Sequence, residues 1–78
     1  MDIEQFKKIM VDAGAKPLSI NYTNWKGLRE DRVITPQEIA FIKTVWHPTE
    51  QWCVLAWCHH RQAERVFAVC DTHEAKAE

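Results

Sequence analysis

RVITP (32–36), EIAFIKTV (38–45), WCVLAW (52–57) and RVFAV (65–69) decide the fold of this chain. Each is an apolar, β-branched or aromatic run of strand length, and they are separated by Pro or by short polar turns. Runs this apolar belong to the core of a small sheet or barrel. Arginines stand at both ends, Arg32 and Arg65. A guanidinium beside core strands requires solvent or an anionic partner, because an unpaired charge is costly to bury. The stretch therefore reads as a binding module rather than an enzyme.

Working outward, LSINY from Leu18 supplies a first strand ending near Asn24, and Gly27 marks a turn in NWKG. LREDRVIT is the second strand, stopped by Pro36, and EIAFIKTVW the third, closed by a polar turn at residues 47–50. WCVLAWCHH is the fourth and RVFAVC the fifth, with a short turn from Arg61 to Glu64 between them. Upstream, Ile3, Phe6, Ile9, Met10 and Ala13 share one helical stripe. Asp2 and Gln5 have capping-box spacing, Gly14 is a stop, and Pro17 opposes continuation. The chain thus divides into an amphipathic helix and linker (1–17), a small, strongly bent sheet or partly closed barrel (18–71) and a polar, frayed tail (72–78). The fourth strand is apolar on both faces, with Trp52, Val54, Ala56 and Cys58 on one and Cys53, Leu55 and Trp57 on the other. One face fills the interior. The helix is the expected cover of the second, and a homodimer interface is its competitor.

Composition limits the possibilities further. Seventy-eight residues make one domain, and 46 % hydrophobic with 27 % charged residues is ordinary for a folded soluble protein. A net charge of −1 excludes a uniformly basic nucleic-acid binder while leaving room for a local basic face. No segment is long enough to span a membrane, and MDIEQFKK is not a signal peptide. Three cysteines without C-x-x-C argue against a disulfide framework and place the chain in a reducing cytoplasm.

The pattern Arg32-x-Ile34-x-Pro36, Ile39, Trp52-Cys53-Val54-x-Ala56 and Arg65-x-Phe67-x-Val69, preceded by Ile20-x-Tyr22, resembles the WYL domain family over residues 18–70. Cys53 and Val54 stand where the family carries its naming Tyr and Leu. Cys70-Asp71 stands where the family's final strand usually runs into Asp-Arg. The resemblance implies a five-stranded Sm-like or SH3-like barrel, mainly β with one N-terminal helix. It implies a ligand sensor of the kind found behind winged-helix domains in bacterial and phage transcription regulators, with a nucleotide or single-stranded nucleic acid as ligand. With a single helix before the barrel, the expectation is a free-standing module of phage, prophage or mobile-element type.

Arg32 and Arg65 match the family's two flanking arginines, and both can fork onto phosphate; Glu30, Asp31 and Glu64 are the alternative partners. Arg61 and His60 form a mildly basic turn with His59, and Tyr22 can stack on a base or bond a phosphate. Trp25 and Trp46, near strand ends, are the stacking candidates; of Trp52 and Trp57, on opposite faces, one is core. Cys58-x-His60 and Cys70-x-x-His73 fit no zinc pattern, so no metal and no cofactor is expected. There are no paired catalytic carboxylates and no Gly-rich phosphate loop, and Cys58 and His59, adjacent on a strand, face apart. The chain reads as a non-enzymatic module that binds a nucleotide or single-stranded nucleic acid and modulates transcription or a nucleic-acid process. The other reading is a protein-interaction module docking on a larger partner.

Overall fold

The computed structural model describes residues 1–14, 16–45 and 48–78. Trp46 and His47 of the expected stacking set and turn lie outside them. The order is α1 (Ile3–Ala13), β1 (Leu18–Thr23), β2 (Arg29–Ile42), β3 (Gln51–Cys58), β4 (Ala63–Ala68), a 3-10 turn (Val69–Asp71) and β5 (Thr72–Ala77). All pairings are antiparallel, and the strands lie in the order β4-β3-β2-β1-β5. No described helix is long and apolar enough to cross a membrane.

α1 begins as its sequence dictates. Asp2 Oδ1 accepts from Gln5 N–H at 2.8 Å, and Gln5 Oε1 accepts from Asp2 N–H at 3.0 Å, closing the capping box. Gly14, at φ 65°, ends the helix in a conformation that costs a residue without Cβ nothing. Phe6 and Ala13 are buried in one core with Leu18, Ile20, Ile34, Val54, Ala56, Cys58, Phe67 and Val69.

Several expectations are corrected. First, residues 29–42 are one strand rather than two. Pro36 does not stop it, because the register shifts between Pro36 and Glu38 into a bulge. Val33 C=O accepts from His59 N–H, so by alternation the nitrogen of Pro36 points to the β1 side. β1 pairs with β2 only as far as Ile34, so no ladder bond is lost there. Second, the tail is a strand: residues 72–77 pair with β1, and Glu78 N–H donates to Pro17 C=O at 2.9 Å. The fifth strand is therefore this tail.

Third, the sheet does not close into the expected barrel. β4 and β5 are its two edges, and no pairing joins them. It does curl. Three strand spacings, about 14 Å when flat, separate β4 from β1, yet the rings of Phe67 and Tyr22 meet edge to face with centroids 5.0 Å apart. The open concave side is what α1 fills, so the helix covers the Val54-Ala56-Cys58 face and not the opposite one. On that opposite face Leu55 and Trp57 are half-exposed, while Cys53 is buried near Cys70 and Asp71 of the 3-10 turn. Neither Trp52, 38 % exposed, nor Trp57 is fully buried, against the expectation that one is core.

Candidate ligand-binding cleft

Where the curl brings β1 toward β4, the two strand ends form the banks of a cleft. One bank is Tyr22, Thr23, Asn24 and Trp25; the other is Arg65, Val66, Phe67 and Ala68, with Asp71 beside them. The first bank is set by an Asn-centred turn. Asn24 Oδ1 accepts from the N–H groups of Lys26 (2.9 Å) and Leu28 (3.0 Å), and Gly27 takes the left-handed φ of 81°. This turn projects Trp25, 65 % exposed, and stands the Lys26 ammonium 5.3 Å from its ring centroid.

Beneath Tyr22 lies a polar network on the concave face. Glu30, Arg32 and Ile34 alternate along β2, with Arg32 opposite Ile20 and Glu30 opposite Tyr22. Glu30 Oε2 accepts from Arg32 Nη2 at 2.8 Å and from Tyr22 OH at 3.1 Å, while Arg32 Nη1 donates to Asp31 C=O at 2.8 Å. Arg32 is thus already engaged. Arg65, opposite Ala56 and on the face of Phe67, is exposed and makes no ion pair among the described residues.

Of the sequence candidates, Tyr22 and Arg65 meet in the cleft, and Arg32 stands behind Tyr22. Arg61, at the β3–β4 turn, is close enough to Glu30 for its charge to act there. That turn is closed by Gln62 N–H to Cys58 C=O at 2.8 Å, with Gln62 at φ 55°. His60 is outside the cleft, in a shallow depression that Arg32 also lines, with Ser19, Asp31, Val33 and His59. Glu30, read from the sequence only as an alternative partner for Arg32, is the hub that joins Tyr22 to Arg32. The i, i+2 spacing of Glu30, Arg32 and Ile34 was the available signal. Among the described residues, no His, Cys, Asp or Glu group is gathered to hold a metal. Burial, with the Cys70 thiol and the Asp71 carboxylate nearby, pushes the Cys53 thiol up and keeps it protonated.

The network has a pH signature. Burial and the bond to Glu30 raise Tyr22 above its ordinary value. For Glu30, partial desolvation pushes up, but the bond from Tyr22, the Arg32 charge and the bond from Asn24 outweigh it, and the carboxyl lies below its usual range. A raised tyrosine contributes stability that is present below about pH 10 and lost as pH climbs through the folded value. A lowered carboxyl contributes stability present above about pH 4.5 and lost as pH falls through the folded value. Urea unfolding across pH is therefore expected to show a plateau falling at both ends. Tyr22→Phe should flatten the alkaline limb and weaken the acid one; an unchanged profile would mean that the network is not formed in solution.

The family model described as the WYL domain matches residues 13–76. No curated protein and no solved structure matches the chain.

Proposed function

The chain belongs to the WYL domain family of ligand-sensing regulatory modules, and from that premise we propose that it is a non-enzymatic sensor of a nucleotide or a short single-stranded nucleic acid. In this reading the curled sheet is an Sm-like fold left open between its β4 and β5 edges, and the cleft where the end of β1 approaches β4 is the binding site. The observation that carries it is the opposition of Trp25 and Arg65 across one cleft, whose banks touch through the Tyr22–Phe67 ring pair. A base stacks on the exposed indole, and a phosphate takes the guanidinium fork of Arg65. Arg32 holds Tyr22 in place through Glu30 rather than meeting the ligand. Loading the cleft stiffens the β1–β2 turn against β4, and this is how occupancy is reported to a transcription or nucleic-acid process in the cytoplasm.

Asp71 beside the cleft and Glu30 behind it keep the surface from being broadly cationic. Contact is thus confined to one or two phosphates. Titrating a fluorescently labelled oligonucleotide of a few residues at low salt should give saturable binding. Log affinity should fall with log salt at a slope of about −0.7 to −1.4, the value for one or two single-strand phosphates. A steep slope would point to diffuse charge instead of this cleft. Absence of binding of both oligonucleotides and mononucleotides at about 100 µM would end the reading, since even non-specific single-site binders reach that range.

A further inference from the structure

We propose that β5 is a homodimer interface, pairing with β5 of a second copy about a two-fold axis at Ala75. β5 is an edge strand, and His73, Glu74, Lys76 and Ala77 are exposed on it. Its hydrogen-bonding pattern decides which groups face outward. The register pairs Leu18 with Ala77, Ser19 with Lys76, Ile20 with Ala75 and Asn21 with Glu74. Glu78 N–H donates to Pro17 C=O, so Glu78, Lys76 and Glu74 turn their backbone groups toward β1. Ala75 and Ala77 then present N–H and C=O to the open edge. A two-fold at Ala75 lets the two Ala75 residues exchange both bonds; the regular ladder runs from Glu74 to Ala77, since the register shifts at His73.

The side chains fit the same axis. Pairing about Ala75 places Glu74 directly opposite Lys76 of the second copy, twice, in the closely spaced non-hydrogen-bonded pairs where cross-strand charges interact most strongly. Both lie opposite outward-facing β1 residues, Asn21 and Ser19, on the convex face. At the centre only alanine methyls meet. The other edge does not fit itself in this way. Glu64 and Arg65 of β4 are adjacent and point to opposite faces, so no two-fold on β4 can pair them. An axis at Arg65 would set two guanidiniums against each other. An isologous contact must be self-complementary, and β5 is the edge that is.

Light scattering coupled to size exclusion tests this. The wild type at about 100 µM should show twice the 9.2 kDa chain mass and dissociate on dilution. Lys76→Glu alone sets Glu against Glu, and Glu74→Lys alone sets Lys against Lys, so each should be monomeric. The double reversal, Glu74→Lys with Lys76→Glu, should restore the dimer, and mixing the two single variants should give a heterodimer. Ala75→Pro removes an N–H that faces outward, so it should block pairing while leaving the β1–β5 ladder and the far-ultraviolet spectrum intact. A wild type that stays at the single-chain mass overturns the proposal. So does a dimer untouched by both single reversals and by Ala75→Pro.

Discussion

Phe6→Ala is expected to cost about 3–5 kcal/mol, the cost of emptying a buried phenylalanine site, and to leave much of the protein unfolded at body temperature. Phe6 is 1 % exposed and is the largest fully buried side chain contributed by α1. Ile3, Ile9 and Met10 on the same stripe are only partly buried. The helix is therefore held on the sheet mainly by this ring. Because the sheet is open, the helix is also what closes the core: without it, Leu18, Ile20, Ile34 and Val54 would face water. A domain this small sits toward the low end of the usual 5–15 kcal/mol, and each kcal/mol lowers its melting temperature by about 4–8 °C. The melt should therefore fall by about 12–40 °C. Urea and thermal unfolding, run at one protein concentration so that self-association does not enter, measure it. A loss below about 1 kcal/mol would mean that the helix is not docked as described.

The success and failure of the sequence reading follow from how local each signal is. The capping box of α1 needs only Asp2 and Gln5, three residues apart, and it formed as read. β3 and the strand character of β1 and β4 rest on dense β-branched and aromatic runs, and those too were legible. Pro36 misled because proline usually ends a strand. Whether it does depends on which neighbour its nitrogen faces, and that is a property of the whole sheet. The tail THEAKA has little strand propensity of its own; it is a strand because the open side of β1 supplies unpaired N–H and C=O groups. Closure of the barrel was a family expectation, and how far a five-stranded sheet curls is set by packing across the whole sheet, such as the Tyr22–Phe67 contact, rather than by a local pattern. The cleft was half legible. Tyr22, Arg65 and Trp25 were singled out as residue types, but only the Tyr22–Phe67 contact reveals that β1 and β4 meet.

The arginines, alike in the sequence, should separate cleanly in measurement. Arg65→Ala is expected to weaken oligonucleotide binding by about 10- to 150-fold, because one hydrogen bond to a charged group is worth about 1.5–3 kcal/mol. Its fold should be unchanged, since Arg65 is exposed and makes no ion pair among the described residues. Arg32→Ala should do the reverse. Its side chain is 14 % exposed and bonded to Glu30 and to Asp31 C=O, so its loss strips Glu30 of its cation and loosens Tyr22. Unfolding should come at lower urea, while affinity at a temperature where the variant is folded should change by less than about tenfold, or 1.4 kcal/mol. Arg65→Lys discriminates further. A lysine keeps the charge but not the planar fork, so partial recovery would indicate simple attraction. Affinity close to that of Arg65→Ala would identify bidentate contact with phosphate. If Arg32→Ala abolishes binding while Arg65→Ala spares it, the ligand sits on the Glu30 side of Tyr22, and the cleft between Trp25 and Arg65 is not its site.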